Sequence, residues 1–289
     1  MKRKTLYLII CFLLILNVFA FVLYLHEISQ HDIRTAEDSE KGQTEKEEAS
    51  AEIDEKGSEN SDDAGAPAGA YSSAELDREP LIAVVDYDTE DAEGIQEMLT
   101  LTGCTSERVG KIEDLDVDKY DAIIIPGGNS VDPSMYGAER QPETTHTNKE
   151  KDEFQFAAVR MYADAGKPVL GICRGEQLVN NVFGGTTIQH MPEGWHKYER
   201  NVRIAEGTWL YDVLGSEEST YHFHHQCVDQ LGEGLYATQW DEQDGHIEAY
   251  EHKTLPVYGL QWHPEGIEES GVSVFAAYVE AVKENMKQH

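Results

Sequence analysis

Cys173 lies in Gly171-Ile172-Cys173-Arg174-Gly175, between an apolar β-branched run and the helix-like stretch from Glu176 to Val182. A strand that turns at once into a helix needs small neighbours at the turn, and it lifts the intervening side chain out at the end of a sheet. For cysteine that position has a chemical consequence. The positive end of the helix dipole favours thiolate over thiol, and the thiolate is the nucleophile. A thiolate attacking a carbonyl also needs a base that later protonates the leaving group. His263, in Trp262-His263-Pro264-Glu265, ends another apolar run, and Glu265 follows it by two positions. Side chains at i and i+2 of a strand share a side, so continued strand geometry predicts Glu265 against the imidazole, holding its tautomer and steadying its charge. Pro126-Gly127-Gly128 ends a third run and offers backbone N–H groups on residues without side chains; Gly128 and Arg174 are the candidate oxyanion donors. The chemistry these residues suit together is acyl transfer through a thioester.

Elements to position them can be read in the same stretch of chain. Leu81-Ile82-Ala83-Val84-Val85, Ala122-Ile123-Ile124-Ile125 and Pro168-Val169-Leu170-Gly171-Ile172 are short, continuous and β-branched-rich, as strands covered on both faces require. Helical spacing from Ala92 to Thr102 and from Asp152 to Ala165 alternates with them, Gly166 stopping the second, which predicts βαβ units and a central parallel sheet. Tyr236-Ala237-Thr238, Ile247 to Tyr250 and Val257 to Trp262 read as further strands, and Gly271 to Glu284 as a closing amphipathic helix. One α/β domain, with function at the sheet-end loops, is expected over residues 80–289.

The remainder of the 289 residues has a different character. Residues 6–25 are uncharged and apolar, long enough to cross about 30 Å of hydrocarbon. Lys2, Arg3 and Lys4 precede them and acidic residues follow from Glu27, so the positive-inside bias predicts residues 1–5 in the cytoplasm, an uncleaved transmembrane anchor and an extracytoplasmic domain. A cleaved signal peptide fits less well, because the apolar run exceeds the usual signal core and no small-x-small site follows it. Residues 26–79, rich in Glu, Asp, Ser, Ala and Gly, are expected to form a disordered acidic stalk. A net charge of −32 leaves no basic stripe to neutralise phosphates, which excludes nucleic acid as a partner. Outside the apolar run Cys104, Cys173 and Cys227 make an odd number, so a disulfide framework is not expected.

The order glycine pair, cysteine elbow, His-x-Glu resembles that of the class I glutamine amidotransferase-like family. The resemblance spans Leu81 to Val282. Asp132-Pro133 with Tyr136-Gly137, Gly171 to Gln177, Gly184-Gly185-Thr186, Gly207-Thr208, His224-His225-Gln226 and Gln261 to Glu265 are similar more specifically to the γ-glutamyl hydrolase branch, peptidase family C26, including bacterial γ-glutamyl-γ-aminobutyrate hydrolases. The resemblance implies a flavodoxin-like, mainly parallel sheet flanked by helices. It implies a Cys173, His263 and Glu265 triad acting on a small γ-glutamyl substrate, with no cofactor and with a homodimer compatible. Gly127, Gln177, His224, His225 and Gln226 are the implied substrate-binding residues. Tyr221-His222 stands where members of the family often carry Asn-Ser, which concentrates the expected differences at the acceptor side of the pocket.

His222, His224 and His225 also raise a metal centre as a reading. Strand alternation aligns only His222 with His224, no carboxylate or cysteine pair stands nearby at ligand spacing, and no metal is expected. Cys227 lacks an elbow and reads as a packed residue; Cys104, after Gly103, has no catalytic context. Two alternatives to a hydrolase stay open: a glutaminase-type subunit delivering ammonia to a synthase, and a non-catalytic sensor domain on a stalk.

Overall fold

The computed structural model describes residues 78–86 and 90–288. The anchor expected over 6–25 and most of the stalk expected over 26–79 lie outside the described residues, and no helix among the described residues is long and apolar enough to cross a membrane. Nine strands form one mixed sheet. β1 (Leu81–Val84), β2 (Thr105–Arg108), β3 (Ala122–Ile125), β4 (Val169–Ile172) and β11 (Val257–Leu260) are mutually parallel, in the order β2-β1-β3-β4-β11. β10 (Ile247–His252), β9 (Leu235–Asp241), β6 (His196–Ile204) and β7 (Glu217–His224) extend it antiparallel beyond β11. β5 (Thr186–Ile188) and β8 (Cys227–Gln230) pair separately.

The continuous apolar runs become strands because alternate residues serve two cores. Ile82, Val84, Ala122 and Ile124 face one layer, with Ile95 and Leu99 of α1 (Glu90–Leu101) and Phe275 and Tyr278 of α5 (Glu268–Met286). Ala83, Val85, Ile123 and Ile125 face the other, with Val159 and Tyr162 of α2 (Lys149–Asp164) and Leu178 and Val179 of α3 (Arg174–Val182). Each fully buried Ile or Val contributes about 1.5–3 kcal/mol relative to exposure. α2 begins where Asn148 accepts the Lys151 N–H at 3.1 Å, and Gly166 at φ 67° follows it in the left-handed region. A short helix, α4 (Trp209–Leu214), is capped by Thr208.

The sequence reading places four of the five parallel strands, β9, β10 and four helices within a few residues. It does not anticipate β2, β5, β6, β7, β8 or α4. β6 is polar and largely exposed, carrying Lys197, Glu199, Asn201 and Arg203 outward, so it lacks the apolar signal on which strand recognition rests.

Candidate active site

Three adjacent parallel strands deliver the site. β3 ends at Pro126-Gly127-Gly128, β4 at Cys173, and β11 runs out through Trp262 to His263, so the three loops sit together at the carboxyl edge where an open α/β sheet leaves a crevice. Trp262, wholly buried and donating from Nε1 to Gln239 Oε1 at 2.7 Å, anchors the last of them.

Cys173 adopts φ 52° and ψ −111°, a conformation that residues with a Cβ rarely take. Its backbone N–H donates to the Leu260 carbonyl at 2.7 Å, tying the elbow to β11. Both glycines are sterically required. A Cβ at Gly171 would stand 2.5 Å from the Gly175 carbonyl oxygen, and one at Gly175 2.0 Å from that of Ile125. α3 starts at Arg174 with no side chain capping it, which turns its first N–H groups toward the nucleophile.

His263 Nδ1 donates to Glu265 Oε1 at 2.7 Å, the carboxylate being able only to accept. The imidazole also interacts with Cys173, so it stands between thiol and carboxylate. Burial opposes a charged imidazole, but Cys173 and Glu265 outweigh it and lift His263 to about 12. The reason given for this contact from sequence needs correction. Strand geometry does not continue past Leu260; Pro264–Gly266 is a 3₁₀ turn that folds Glu265 back onto the ring.

A cavity of about 280 Å³ opens over the elbow, lined by Cys173, Arg174, Gly128, Gln177, His224, His225 and Gln226. Gly127 is corrected: it is buried and absent from the lining, because only Gly128, at φ 138°, turns outward. The Arg174 guanidinium points away from the cavity, bound to Asp152 and, at 2.6 Å, to Gln155 Oε1, so Arg174 offers the cavity its backbone. Gln177 Nε2 donates to the Gln226 carbonyl at 3.0 Å and to Gln261 Oε1 at 2.8 Å. Gln226 Nε2 donates to the Gln189 carbonyl at 2.7 Å. His224 is buried, which holds its imidazole below the usual range. Of the implied pocket histidines, only the half-buried His225 presents its ring to the rim, 4.5 Å from that of Trp195.

Several lining residues escape the sequence reading. Asn129, Ser130, Thr145 and His146 come from loops, and Trp195 and Phe223, 47% and 51% exposed with ring centroids 5.3 Å apart, form an aromatic rim beside the nucleophile. An exposed aromatic pair at a cavity mouth is a binding signal, but the two are 28 positions apart in sequence and meet only because β6 pairs with β7. Glu176 is also missed. It is fully buried, and burial, Glu248 and Cys173 push its carboxyl well above the usual range. Cys104 and Cys227 are free and buried, and burial raises both thiols, the first to about 11.

Comparison with known proteins agrees with this geometry. The model of the Peptidase C26 family matches residues 90–265. A Mycobacterium tuberculosis protein with a provisional glutamine amidotransferase name is 38% identical over 188 residues, covering 60% of this chain and 58% of its own length. Protein NtpR of Enterococcus hirae is 32% identical over 164 residues, 52% of this chain and 68% of the relative. This chain therefore spans little more than half the length of the mycobacterial relative. Among solved structures, PurLQS from Thermotoga maritima superposes with a TM-score of 0.56 at 19% identity over 71% of this chain and 99% of the other, a likeness of fold alone.

Proposed function

The chain belongs to the peptidase C26 family of class I glutamine amidotransferase-like proteins, cysteine hydrolases and amidotransferases, and from that premise we propose that it hydrolyses γ-glutamyl amides at Cys173. One observation carries the reading: the His263 imidazole is held between the Cys173 thiol and the Glu265 carboxylate at the mouth of a cavity.

The Cys173 thiolate attacks the γ-carbonyl carbon, and the C=O electron pair moves onto oxygen, where the N–H groups of Gly128 and Arg174 are the donors. His263 gives its proton to the departing amine as the C–N bond breaks, leaving a glutamyl thioester. It then takes a proton from water, whose oxygen attacks the thioester; glutamate leaves and the Cys173 thiolate is restored. Glu265 holds the imidazole through Nδ1 in both halves.

The Trp195–Phe223 rim favours a substrate whose amine portion is larger than ammonia, and so favours a hydrolase over a glutaminase subunit. Incubating the full chain with γ-glutamyl amides of increasing amine size and with glutamine tests this. Higher kcat/KM for the bulky amides is expected; glutamine as the best substrate, accelerated by a partner protein, would establish the ammonia-delivering reading instead. We further propose that the enzyme acts outside the cell on a membrane tether, supported by the order of Lys2, Arg3 and Lys4, an apolar run and an acidic stretch. Protease added to intact cells is expected to release the domain, and full protection would reverse that orientation.

A further inference from the structure

A second cluster of chemistry-bearing side chains, touching the cavity through His224, plays no part in the reaction above. His196, His222, His224 and Glu248 converge in the interior, with relative exposures of 1%, 0%, 4% and 0%. Their assembly is written into the sheet. His196 on β6 sits opposite His224 on β7, and His222, two residues before His224, shares its face. Glu248 comes from β10, where the register against β9 slips between Ile247 and Ala249. A bulge of this kind re-aims a side chain, and the residue it re-aims is Glu248.

The outer nitrogen of each imidazole is already engaged. His196 Nε2 is 2.8 Å from Asp244 Oδ2, His224 Nδ1 is 2.9 Å from the Gln226 carbonyl oxygen, and His222 Nε2 is 2.7 Å from Thr220 Oγ1. A carboxylate and a carbonyl only accept, so His196 and His224 carry their protons outward and turn lone pairs inward. The inner atoms face the carboxylate: His196 Nδ1 is 3.3 Å from Glu248 Oε1, and His222 Nδ1 and His224 Nε2 are 3.4 and 3.5 Å from Oε2. His222 Nδ1 and His224 Nε2 are 3.1 Å apart, and all the inner atoms lie within 4.8 Å of one another. Charge-assisted hydrogen bonds are shorter, about 2.7–2.9 Å, and neither Glu248 oxygen nor His196 Nδ1 has a hydrogen-bond partner. The result is a buried carboxylate faced by the lone pairs of His196 Nδ1 and His224 Nε2, the latter accepting from His222 Nδ1, and a cation at the centre would take the place of that proton and satisfy the carboxylate.

Spacing identifies the cation. Ligands about 2.0–2.1 Å from a tetrahedral zinc stand about 3.3–3.4 Å from each other, close to the 3.1 Å between His222 and His224 and the 3.3, 3.4 and 3.5 Å from the three histidines to Glu248, with His196 within 4.8 Å of the other two imidazoles. Three imidazoles and one carboxylate form a donor set that zinc accepts, and a carboxylate, a carbonyl and a hydroxyl on the outer nitrogens are the supports that metal-bound histidines recruit. We propose that His196 Nδ1, His222 Nδ1, His224 Nε2 and the Glu248 carboxylate bind one zinc ion. All four positions are filled by protein, so the ion is structural. It pins β6, β7 and β10 together and fixes the His224-His225-Gln226 stretch that lines the cavity. From sequence alone His222 and His224 form an isolated pair; the other two ligands arrive through strand pairing and a bulge.

The full chain is stripped with a chelator, mixed with zinc chloride, freed of excess by gel filtration and assayed for metal. One zinc per chain is expected, with an unfolding temperature raised on the order of 5–10 °C at a hundredfold excess over Kd, and cobalt(II) should give the intense visible bands of a four-coordinate site. Cys173→Ala should bind the same amount, which separates this site from the nucleophile and makes the result independent of the proposed hydrolysis. His190→Ala, altering a surface neighbour of His225, should retain the metal, whereas His222→Gln and His196→Gln should lose it. Wild-type protein that takes up no zinc would overturn the proposal and leave the cluster as an imidazolium–carboxylate network. Full stoichiometry in both glutamine variants would overturn it equally. If those variants do not fold, wild-type stoichiometry and the cobalt spectrum still decide the question.

Discussion

Replacing Gly175 by alanine perturbs the elbow without touching any group that takes part in the chemistry. The added Cβ would lie 2.0 Å from the Ile125 carbonyl oxygen, 2.7 Å from its carbon and 3.0 Å from the Pro126 oxygen. All three are backbone atoms at the end of β3, so no side-chain rotation relieves the clash. Reaching an ordinary 3.4 Å contact requires about 1.4 Å of movement by either the start of α3 or the strand that leads to Gly128. Either movement separates the nucleophile from its oxyanion donors, and a misplacement of about 1 Å costs on the order of a hundredfold in rate, or about 2.7 kcal/mol of transition-state stabilisation. Overpacking should also cost roughly 1–3 kcal/mol of stability, lowering the unfolding temperature on the order of 2–10 °C. The assay is kcat/KM with the best γ-glutamyl amide at 25 °C, alongside thermal unfolding by circular dichroism. A variant within about threefold of wild type would show that the elbow does not need this glycine, and the geometric argument would fail.

Glu265→Gln removes one of the two groups that lift His263 to about 12. The imidazolium should then be lost at lower pH, moving the alkaline limb of kcat/KM downward; an unmoved limb would contradict Glu265's assigned part. Because His263 is raised from its ordinary 6.5, its contribution to folding is fully present below about 6.5 and lost as pH rises through about 12. Wild type should therefore lose more stability than Glu265→Gln across that window. Arg174→Met leaves the buried Asp152 carboxylate unpaired and should cost about 3–5 kcal/mol in urea unfolding, partly recovered by adding Asp152→Asn; a loss under about 1 kcal/mol would show that the pair bears little. Trp195→Ala should raise KM about tenfold for amides of large amines while leaving kcat and glutamine turnover nearly unchanged, and an equal effect on glutamine would remove the rim from substrate recognition.

The catalytic stretches are legible in the sequence because each is local. Gly171 to Gly175 encodes a backbone conformation, and the steric need for its glycines is already implied by their spacing around a strand-to-helix junction. The buried parallel strands are legible for a related reason: residues such as Ile123 and Ile124 serve opposite cores, so the whole run is apolar. The aromatic rim of the pocket is not legible, nor is the carboxylate behind it. Trp195 and Phe223 meet only through pairing of β6 with β7, and Glu248 reaches the histidines through a bulge, neither of which leaves a mark in composition. The His263–Glu265 contact is foreseen for a reason that does not hold, since a 3₁₀ turn and not strand alternation makes it. Gly127 and Gly128 look equivalent in sequence, and only the backbone turn at Gly128 sets them apart.

The account stands on Cys173 forming the bond to substrate. Wild-type enzyme turning over a γ-glutamyl amide, quenched rapidly in acid and digested, should carry one glutamyl group on the peptide containing Cys173, as read by mass spectrometry. Cys173→Ala should carry none and release no amine. Amine release by Cys173→Ala at the wild-type rate, or a glutamyl group on Cys104 or Cys227 in its place, would contradict the account.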